Sequence, residues 1–539
     1  MSGHGHDARS LPPGGGHNVV LTGFMGTGKT TVGRLLADDL GFEFVDTDQL
    51  IEQRHGPIPD IFAHRGEEGF REIERAIAAE LATKTGLVIS TGGRMMLDPA
   101  NVRALSANGR VFCLVATPEE VFERVTNDPS RVERPLLQVP DPRQRIVELM
   151  SERDRQYRRF PQLVTDAMTP QDVARDLQAV TSSDPHTYAI ENPAGRYDFA
   201  VGAGLLPFVR QLTAIEGPMV VITDDEVANL YLPSLGAVDL EIRLSARHGR
   251  KSMRSVEHVY DTLLDADIDR SATIVSLGTS VVEDVAGFVA ATYLRGVDLV
   301  HCPTNLIAMI DTSIGGKVGL DRPHGRNLVG LFKQPTAVIA DVATLQTLEP
   351  REFAAGMAEV VKHGLIAGSD LLGQVEAGEW TAADNALPGA LGRLQTLVAQ
   401  AIQVKIAIVQ EDPFEEGRRA VLNLGHTFAH GIEHVTDGHV NHGEAVGIGL
   451  VAAARLSERG GFAKPGLANH VGSLVSHVGL DPHLPGPIPP EKLVEAMRRD
   501  KKRRGGRLRF VLLRDIGDVI VTDDVASDDL VAVLDSLNP

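Results

Sequence analysis

The hydrophobic pattern of the chain starts at Asn18. Residues 1–17 are rich in Gly, His and Pro and show no apolar periodicity, the composition of a disordered tail. A short apolar run at 18–22 (NVVLT) leads into a glycine-rich turn and then a helical stretch. Similar runs recur at 42–45, 87–90 and 111–115, with helical spacing of apolar residues between them. Short apolar runs alternating with helices predict a parallel sheet covered by helices. Residues 181–198 (TSSDPHTYAIENPAGRYD) are polar and turn-rich, which predicts a linker and the entry to a new domain. A second α/β series has strand candidates near 219–223, 273–277, 298–301 and 337–340. Beyond Thr344 helical periodicity dominates almost to the end. The pattern predicts an α/β domain over 18–180, a second, Rossmann-like α/β domain over 199–343, and a mainly helical domain over 344–539.

At 539 residues the chain is too long for a single core, in keeping with that division. A hydrophobic content of 43% and a charged content of 23% are ordinary for a globular protein. The net charge of −19 argues against a nucleic-acid partner, because phosphate backbones need a basic surface. Small anionic substrates need only a few local Lys and Arg residues. Cys113 and Cys302 both lie in apolar strand-like runs, so neither a disulfide framework nor a thiolate metal site is expected. The N-terminal segment has no apolar signal region, and the longest apolar run, 445–456, is too short to cross a bilayer. A cytoplasmic enzyme or binding protein with no membrane partner is the expectation.

Gly23–Thr30 reads GFMGTGKT, a full G-x-x-x-x-G-K-[ST] match between a strand and a helix. In that context Gly26, Thr27 and Gly28 let backbone N–H groups wrap phosphates. Lys29 neutralises the β/γ charge, and the hydroxyls of Thr30 and Thr31 stand beside the Mg²⁺ of ATP. The segments that follow, DTDQLIE (46–52), GFREIE, ERPLL and ERDRQYRR, resemble the shikimate kinase family over about 155 residues. The resemblance implies phosphorylation of shikimate by ATP. It places Asp46 near Mg²⁺, Asp48 as acceptor of the attacking hydroxyl's proton, and Arg71 and Arg153 on the substrate carboxylate. Gly92 and Gly93 would lie beside the ring, and Arg134 would be a lid arginine on the ATP phosphates.

The second half carries ordered blocks: PTNLIAMIDTSIGGKVGLDRPHGRNLVGLFKQP (303–335), EFAAGMAEVVKHG (352–364), EEGRRAVLNLGHTFAHGIEH (415–434), HVNHGEAVGIG (439–449) and DKKRRGGRLRFVLL (500–513). One carboxylate and two imidazoles, Glu359, His426 and His442, form a set that binds Zn²⁺ and leaves a position open. His426 and His430 are four apart without the Glu of H-E-x-x-H, which argues against a zinc protease. Taken alone, histidines at this spacing are more often core or capping residues than ligands.

With the surrounding blocks, the region from about 187 to 539 resembles 3-dehydroquinate synthases. The resemblance implies an NAD- and metal-dependent (Zn²⁺ or Co²⁺) cyclisation of 3-deoxy-arabino-heptulosonate 7-phosphate to 3-dehydroquinate, with loss of phosphate. It implies that Lys317, Lys362, Lys405, Asn327, Glu415, Arg419, Asn423 and His430 bind or act on substrate, joined by Lys501 or Lys502. Lys251, Gly278, Asp284, Thr304, Asp311, Lys317, Arg326 and Thr347 would hold NAD⁺, and Arg295 would reach in from a second subunit of a homodimer.

Several positions depart from these families. Arg94 stands where shikimate kinases have a third glycine, and would either clash or point to solvent. Thr279, Ser280 and Glu283 replace glycines of the dinucleotide loop, and His248, Asn305, Val318 and Arg326 are further changes. Added Cβ atoms and a Glu charge beside a pyrophosphate predict weakened NAD⁺ binding. Three readings follow: a bifunctional enzyme, a related sugar phosphate cyclase, or a fusion in which one half has lost catalysis and serves as a scaffold.

Overall fold

The computed structural model describes residues 17–127, 135–166, 168–182, 185–193, 195–245, 251–322, 325–368, 370–378, 380–381, 384–386, 389–501 and 508–539. The first sheet contains β1 (Asn18–Gly23), β2 (Glu43–Asp46), β3 (Leu87–Ser90), β4 (Gly109–Val115) and β5 (Gln162–Val164). All are parallel, in the order β2-β3-β1-β4-β5. The central strands β1 and β3 are buried throughout, as parallel strands covered on both faces must be. The sheet delivers the 23–30 loop at the carboxyl end of β1, where α/β proteins bind ligands.

The second sheet is built from β6 (His186–Asn192), β7 (Gly195–Gly202), β8 (Met219–Asp224), β9 (Leu240–Leu244), β10 (Thr273–Gly278), β11 (Asp298–Pro303) and, after an antiparallel hairpin of β12 (Lys317–Arg322) and β13 (Gly325–Phe332), β14 (Ala337–Asp341). Its order is β6-β7-β14-β11-β10-β8-β9. The segment expected as a linker is therefore largely strand. β6 and β7 pair antiparallel in register from His186↔Val201 to Asn192↔Gly195, and β7 continues the sheet along β14. Composition misled here because β6 is an edge strand that turns polar side chains to solvent. The C-terminal part is helical as expected. One unpredicted hairpin, β15 (Phe510–Asp515) with β16 (Asp518–Thr522), packs on helix His442–Arg459.

The two α/β units share a packed seam. Val173, Leu177 and Val180 of the first unit's last helix belong to the same apolar cluster as Ile190 and Tyr197 of the second and Leu394 of the helical part. The open edge of the first sheet is closed by a side chain: Gln346 accepts from the Gln162 N–H at 2.8 Å and donates to the Gln162 carbonyl at 2.9 Å. Gly389 N–H donates to Asp176 at 2.8 Å. Arg110 of β4 is buried, and donates across the seam to the Ala203 carbonyl and, within its own unit, to Thr181 O at 3.3 Å. Burial lowers its pKa to about 10, with Asp341 of the second unit opposing. Replacing Arg110 with alanine leaves those carbonyls without donors and should cost about 2–4 kcal/mol. The measurable result is an earlier thermal loss of both activities together; loss confined to the first unit would contradict a shared seam.

Candidate active sites

The first site forms where β1, β2 and β3 end. Lys29 opens helix Lys29–Leu40 and folds back, its Nζ 2.9 Å from both the Gly23 and Phe24 carbonyls, so the ammonium is held at the loop before any phosphate arrives. Gly26 (φ 79°) and Gly28 (φ 93°) adopt backbone that side-chain-bearing residues rarely do. Thr27 Oγ1 donates to Phe24 O at 2.8 Å, while Thr31 is exposed. Thr30 Oγ1 donates to Asp46 at 2.9 Å, and the other Asp46 oxygen caps helix Thr47–His55 through the N–H groups of Asp48 and Gln49. Asp48 is raised to about 6, first by burial and then by neighbouring Asp46, with Lys29 opposing.

Gly92 lies against Asp48: a Cβ there would meet Asp48 Oδ1 at 2.4 Å. Gly93 packs near Arg153 Nη1, and its carbonyl accepts from Tyr157. Arg153 is buried with its guanidinium 5.3 Å from the Phe24 ring centre. Arg71 ion-pairs with Glu74 at 2.5 Å and Glu67 at 3.3 Å. Arg94 takes the outward alternative. Its backbone is ordinary (φ −120°), its side chain is half exposed, and it pairs with Glu67 at 2.9 Å. Its backbone needs no glycine, and it shares Glu67 with Arg71. Arg134 lies outside the described residues. Tyr157, Glu67 and Glu74 carried no sequence signal.

The second site lies between the second sheet and the helical part. Helix Pro350–Ala367 supplies Glu359 and Lys362, helix His426–Val435 supplies His426, and His442 begins helix His442–Arg459. One ligand atom from each of Glu359, His426 and His442 lies within 4.8 Å of the others, a separation that a single ion bridges. Glu359 is fully buried; its Oε1 has no hydrogen-bond donor and faces His426 Nε2 and His442 Nε2, each at 3.6 Å. That orphaned oxygen suits a cation. His426 is lowered to about 3, mainly by burial, and Lys362 adds to the shift, so its imidazole is neutral as ligation requires; His442, against its burial, is raised to about 9 by the Glu359 and Glu433 carboxylates and must give up that proton to an ion. His426 Nδ1 faces the Leu424 carbonyl at 3.1 Å, and His442 Nδ1 faces Glu433 at 3.4 Å. Glu433, which also pairs with Arg326 at 2.6 Å, is an orienting residue the sequence reading missed. Its place seven residues after His426, on the same helix face, was the available signal.

Cations line the rest of the cleft. Lys405 pairs with Asp311, and Lys362 with Glu359. Burial lowers Lys405 to about 8 against the pull of Asp311. Lys317 pairs with Glu415 at 2.5 Å, and Glu415 accepts from Asn423 at 3.2 Å. Arg419 is buried against Gly315 (φ 96°), where a Cβ would meet its Nη2 at 2.2 Å. His430 is exposed, its ring 5.8 Å from that of His426. Arg295 is exposed on a left-handed turn (φ 68°), and the side chains of Lys501 and Lys502 and residue His248 lie outside the description.

The dinucleotide loop departs from expectation. Gly278 ends β10, Thr279 precedes helix Ser280–Thr292 in extended backbone (φ −83°), and no side chain caps that helix. The positive end of its dipole suits a pyrophosphate. Thr304 N–H donates to Gly278 O at 3.0 Å, Lys251 pairs with Asp284 and contacts Asn327, and Thr347 meets the Tyr231 hydroxyl. Glu283 does not oppose the phosphates. It is buried and turned toward Thr312 and Ser313, and burial raises it to about 8, so it is neutral at pH 7.

The chain matches 3-dehydroquinate synthase, N-terminal, over residues 241–355 and 3-dehydroquinate synthase, C-terminal, over 356–503. The 3-dehydroquinate synthase of Symbiobacterium thermophilum is 41% identical over 345 residues, 62% of this chain and 95% of that one. That of Halorhodospira halophila is 43% identical over 318 residues, 58% of this chain and 88% of that one. The chain belongs to the 3-dehydroquinate synthase family. Ahead of the synthase part stands a shikimate kinase domain, matched over residues 25–181. Among solved structures, a 2-epi-5-epi-valiolone synthase from Streptomyces hygroscopicus with NAD⁺ and Zn²⁺ bound aligns with TM-score 0.58 at 26% identity. It covers 63% of this chain and 96% of that one. A 2-deoxy-scyllo-inosose synthase complexed with carbaglucose-6-phosphate, NAD⁺ and Co²⁺ aligns with TM-score 0.57 at 25% identity, covering 65% and 100%. Among the described residues, no helix of this 3-dehydroquinate synthase relative is long and apolar enough to cross a membrane.

Proposed function

We propose that both sites work: residues 18–180 phosphorylate shikimate with ATP and Mg²⁺, and residues 199–539 convert 3-deoxy-arabino-heptulosonate 7-phosphate to 3-dehydroquinate. The observation that carries the second activity is the Glu359–His426–His442 set inside a cleft lined by Lys317, Lys362, Lys405 and Arg419. Such a cleft suits a substrate bearing both phosphate and carboxylate. The relatives at 41–43% identity are named 3-dehydroquinate synthase, whereas the cyclases that make other cyclitols stand at 25–26%, which favours this reading. In the homodimer that the resemblance to 3-dehydroquinate synthases implies, exposed Arg295 would serve the partner's cleft.

In the kinase, Lys29 and the loop N–H groups bind phosphates, and Thr30 with Asp46 would hold Mg²⁺. Arg71 and Arg153 orient the shikimate carboxylate, and Asp48 takes the proton of the attacking hydroxyl. In the synthase, Glu359, His426 and His442 would hold Zn²⁺ or Co²⁺. Gly278, Lys251, Asp284, Thr304 and Thr347 would hold NAD⁺. When bound, these groups supply a Lewis acid and a transient hydride acceptor. Lys405, Arg419, Asn423 and Asn327 hold the substrate's oxygens. Asp311 fixes Lys405, and Glu415 fixes Lys317 and Asn423. Lys362 balances the buried Glu359.

Two assays on the purified chain test this proposal: shikimate with ATP, and the heptulosonate phosphate with NAD⁺ and Zn²⁺. Product from one alone would reduce the other half to a scaffold. The kinase should also show a pH limb. Asp48 must be ionised to accept a proton, so kcat/KM should fall about tenfold per unit as pH drops below about 6. A profile flat from pH 5 to 8 would remove Asp48 from that role.

A further inference from the structure

Glu283 is used by no step above, yet it is the most engaged buried acid near the synthase cleft that the family does not supply. It is 3% exposed in the first turn of helix Ser280–Thr292. Its Oε2 lies 2.5 Å from Thr312 Oγ1, and its Oε1 lies 2.5 Å from Ser313 Oγ. Both partners belong to the turn that carries Asp311, a π-helical segment over Ala308–Thr312 closed by Ser313. Such segments are uncommon and concentrate at functional sites. Asp311 in turn holds Lys405 through both its carboxylate and its backbone carbonyl.

Ser313 Oγ lies 2.7 Å from the Ala308 carbonyl as well as 2.5 Å from Glu283, and the Ala308 carbonyl also accepts from the Ser313 N–H at 3.2 Å. The Ser313 hydroxyl can therefore serve either oxygen, and the hydrogen bonds accommodate both forms of Glu283. Burial selects the carboxylic acid: an ionised Glu283 would place a charge in the interior beside Asp284 of its own helix, with Lys405 the cation that acts on it.

We propose that Glu283 is a positioning residue of the synthase, a two-point latch that fastens the dinucleotide-loop helix to the turn presenting Asp311 and, through it, Lys405. The inference rests on the synthase reading above for its kinetic readout only.

Three forms of the full-length chain test it: wild type, Glu283→Gln and Glu283→Gly. A glutamine amide can donate to Ser313 and accept from Thr312, whereas glycine, the family residue, can do neither. The wild-type-minus-Gln infrared difference spectrum at pH 7 should contain the carbonyl stretch of a protonated carboxylic acid. Synthase kcat/KM should stay within about twofold in Glu283→Gln and fall about tenfold or more in Glu283→Gly, because the turn that glycine releases misplaces Lys405 on the substrate's oxygens. Shikimate kinase activity and metal content, measured on the same samples, should match wild type in all three and so report intact folding. Absence of the carboxylic acid band overturns the proposal. So does a Gly variant with wild-type kcat/KM, or a Gln variant as impaired as the Gly variant. A wild type with no synthase activity at all would instead fail the function proposed above, leaving the infrared test of the latch standing.

Discussion

Replacing His442 with alanine should strip the metal from the synthase part and lower its turnover about a thousandfold or more, while shikimate phosphorylation continues at the wild-type rate. Three donors within 4.8 Å leave little redundancy. With His442 gone, Glu359 and His426 offer only two ligands, too few for the closed side of a catalytic zinc site. Glu433 cannot substitute, because it sits behind His442 and is committed to Arg326. Elemental analysis and the two activity assays on one preparation check this prediction. Metal content equal to wild type would show that the ligand set is wrong, and a parallel loss of kinase activity would show a folding defect instead.

The converse substitution is Lys29→Met, which should abolish phosphoryl transfer, by about a thousandfold or more, and leave synthase turnover near wild type. The ammonium of Lys29 is held on two loop carbonyls, aimed where the β- and γ-phosphates bind, and no other described cation occupies that spot. Methionine keeps the stem and its packing but removes the charge. Steady-state kinetics of both reactions on the variant decide the matter: residual kinase activity within tenfold of wild type would take Lys29 out of the reaction.

The parts of this protein legible from sequence are those where chemistry demands a spacing. The loop at 23–30 is dictated by phosphate geometry, whereas Asp46, Asp48 and the donors Glu359, His426 and His442 were legible through the family blocks that carry them, and the structure brings each group together. Orientation was not legible. Arg94 and Glu283 both replace a glycine, yet one turns out to Glu67 and the other inward to Thr312 and Ser313. A substitution shows that a Cβ has been added, but only the surrounding packing decides where the side chain goes. Long-range contacts were equally hidden. Nothing local in Gln346 announces that it closes an edge 184 residues away, and the polar residues of β6 imitate a linker because one face of that strand is in water.

The seam has a consequence for inheritance rather than for chemistry. A side-chain amide finishing a neighbour's sheet, and an apolar cluster drawn from both units, leave the two catalysts no separate fate. They are produced in equal number, and heat should remove them together. A lesion in the core of one is a lesion in the supply of the other. Selection then acts on the pair as one heritable unit: the more fragile partner sets the lifetime of both, and a stabilising change in either protects two steps of metabolism at once.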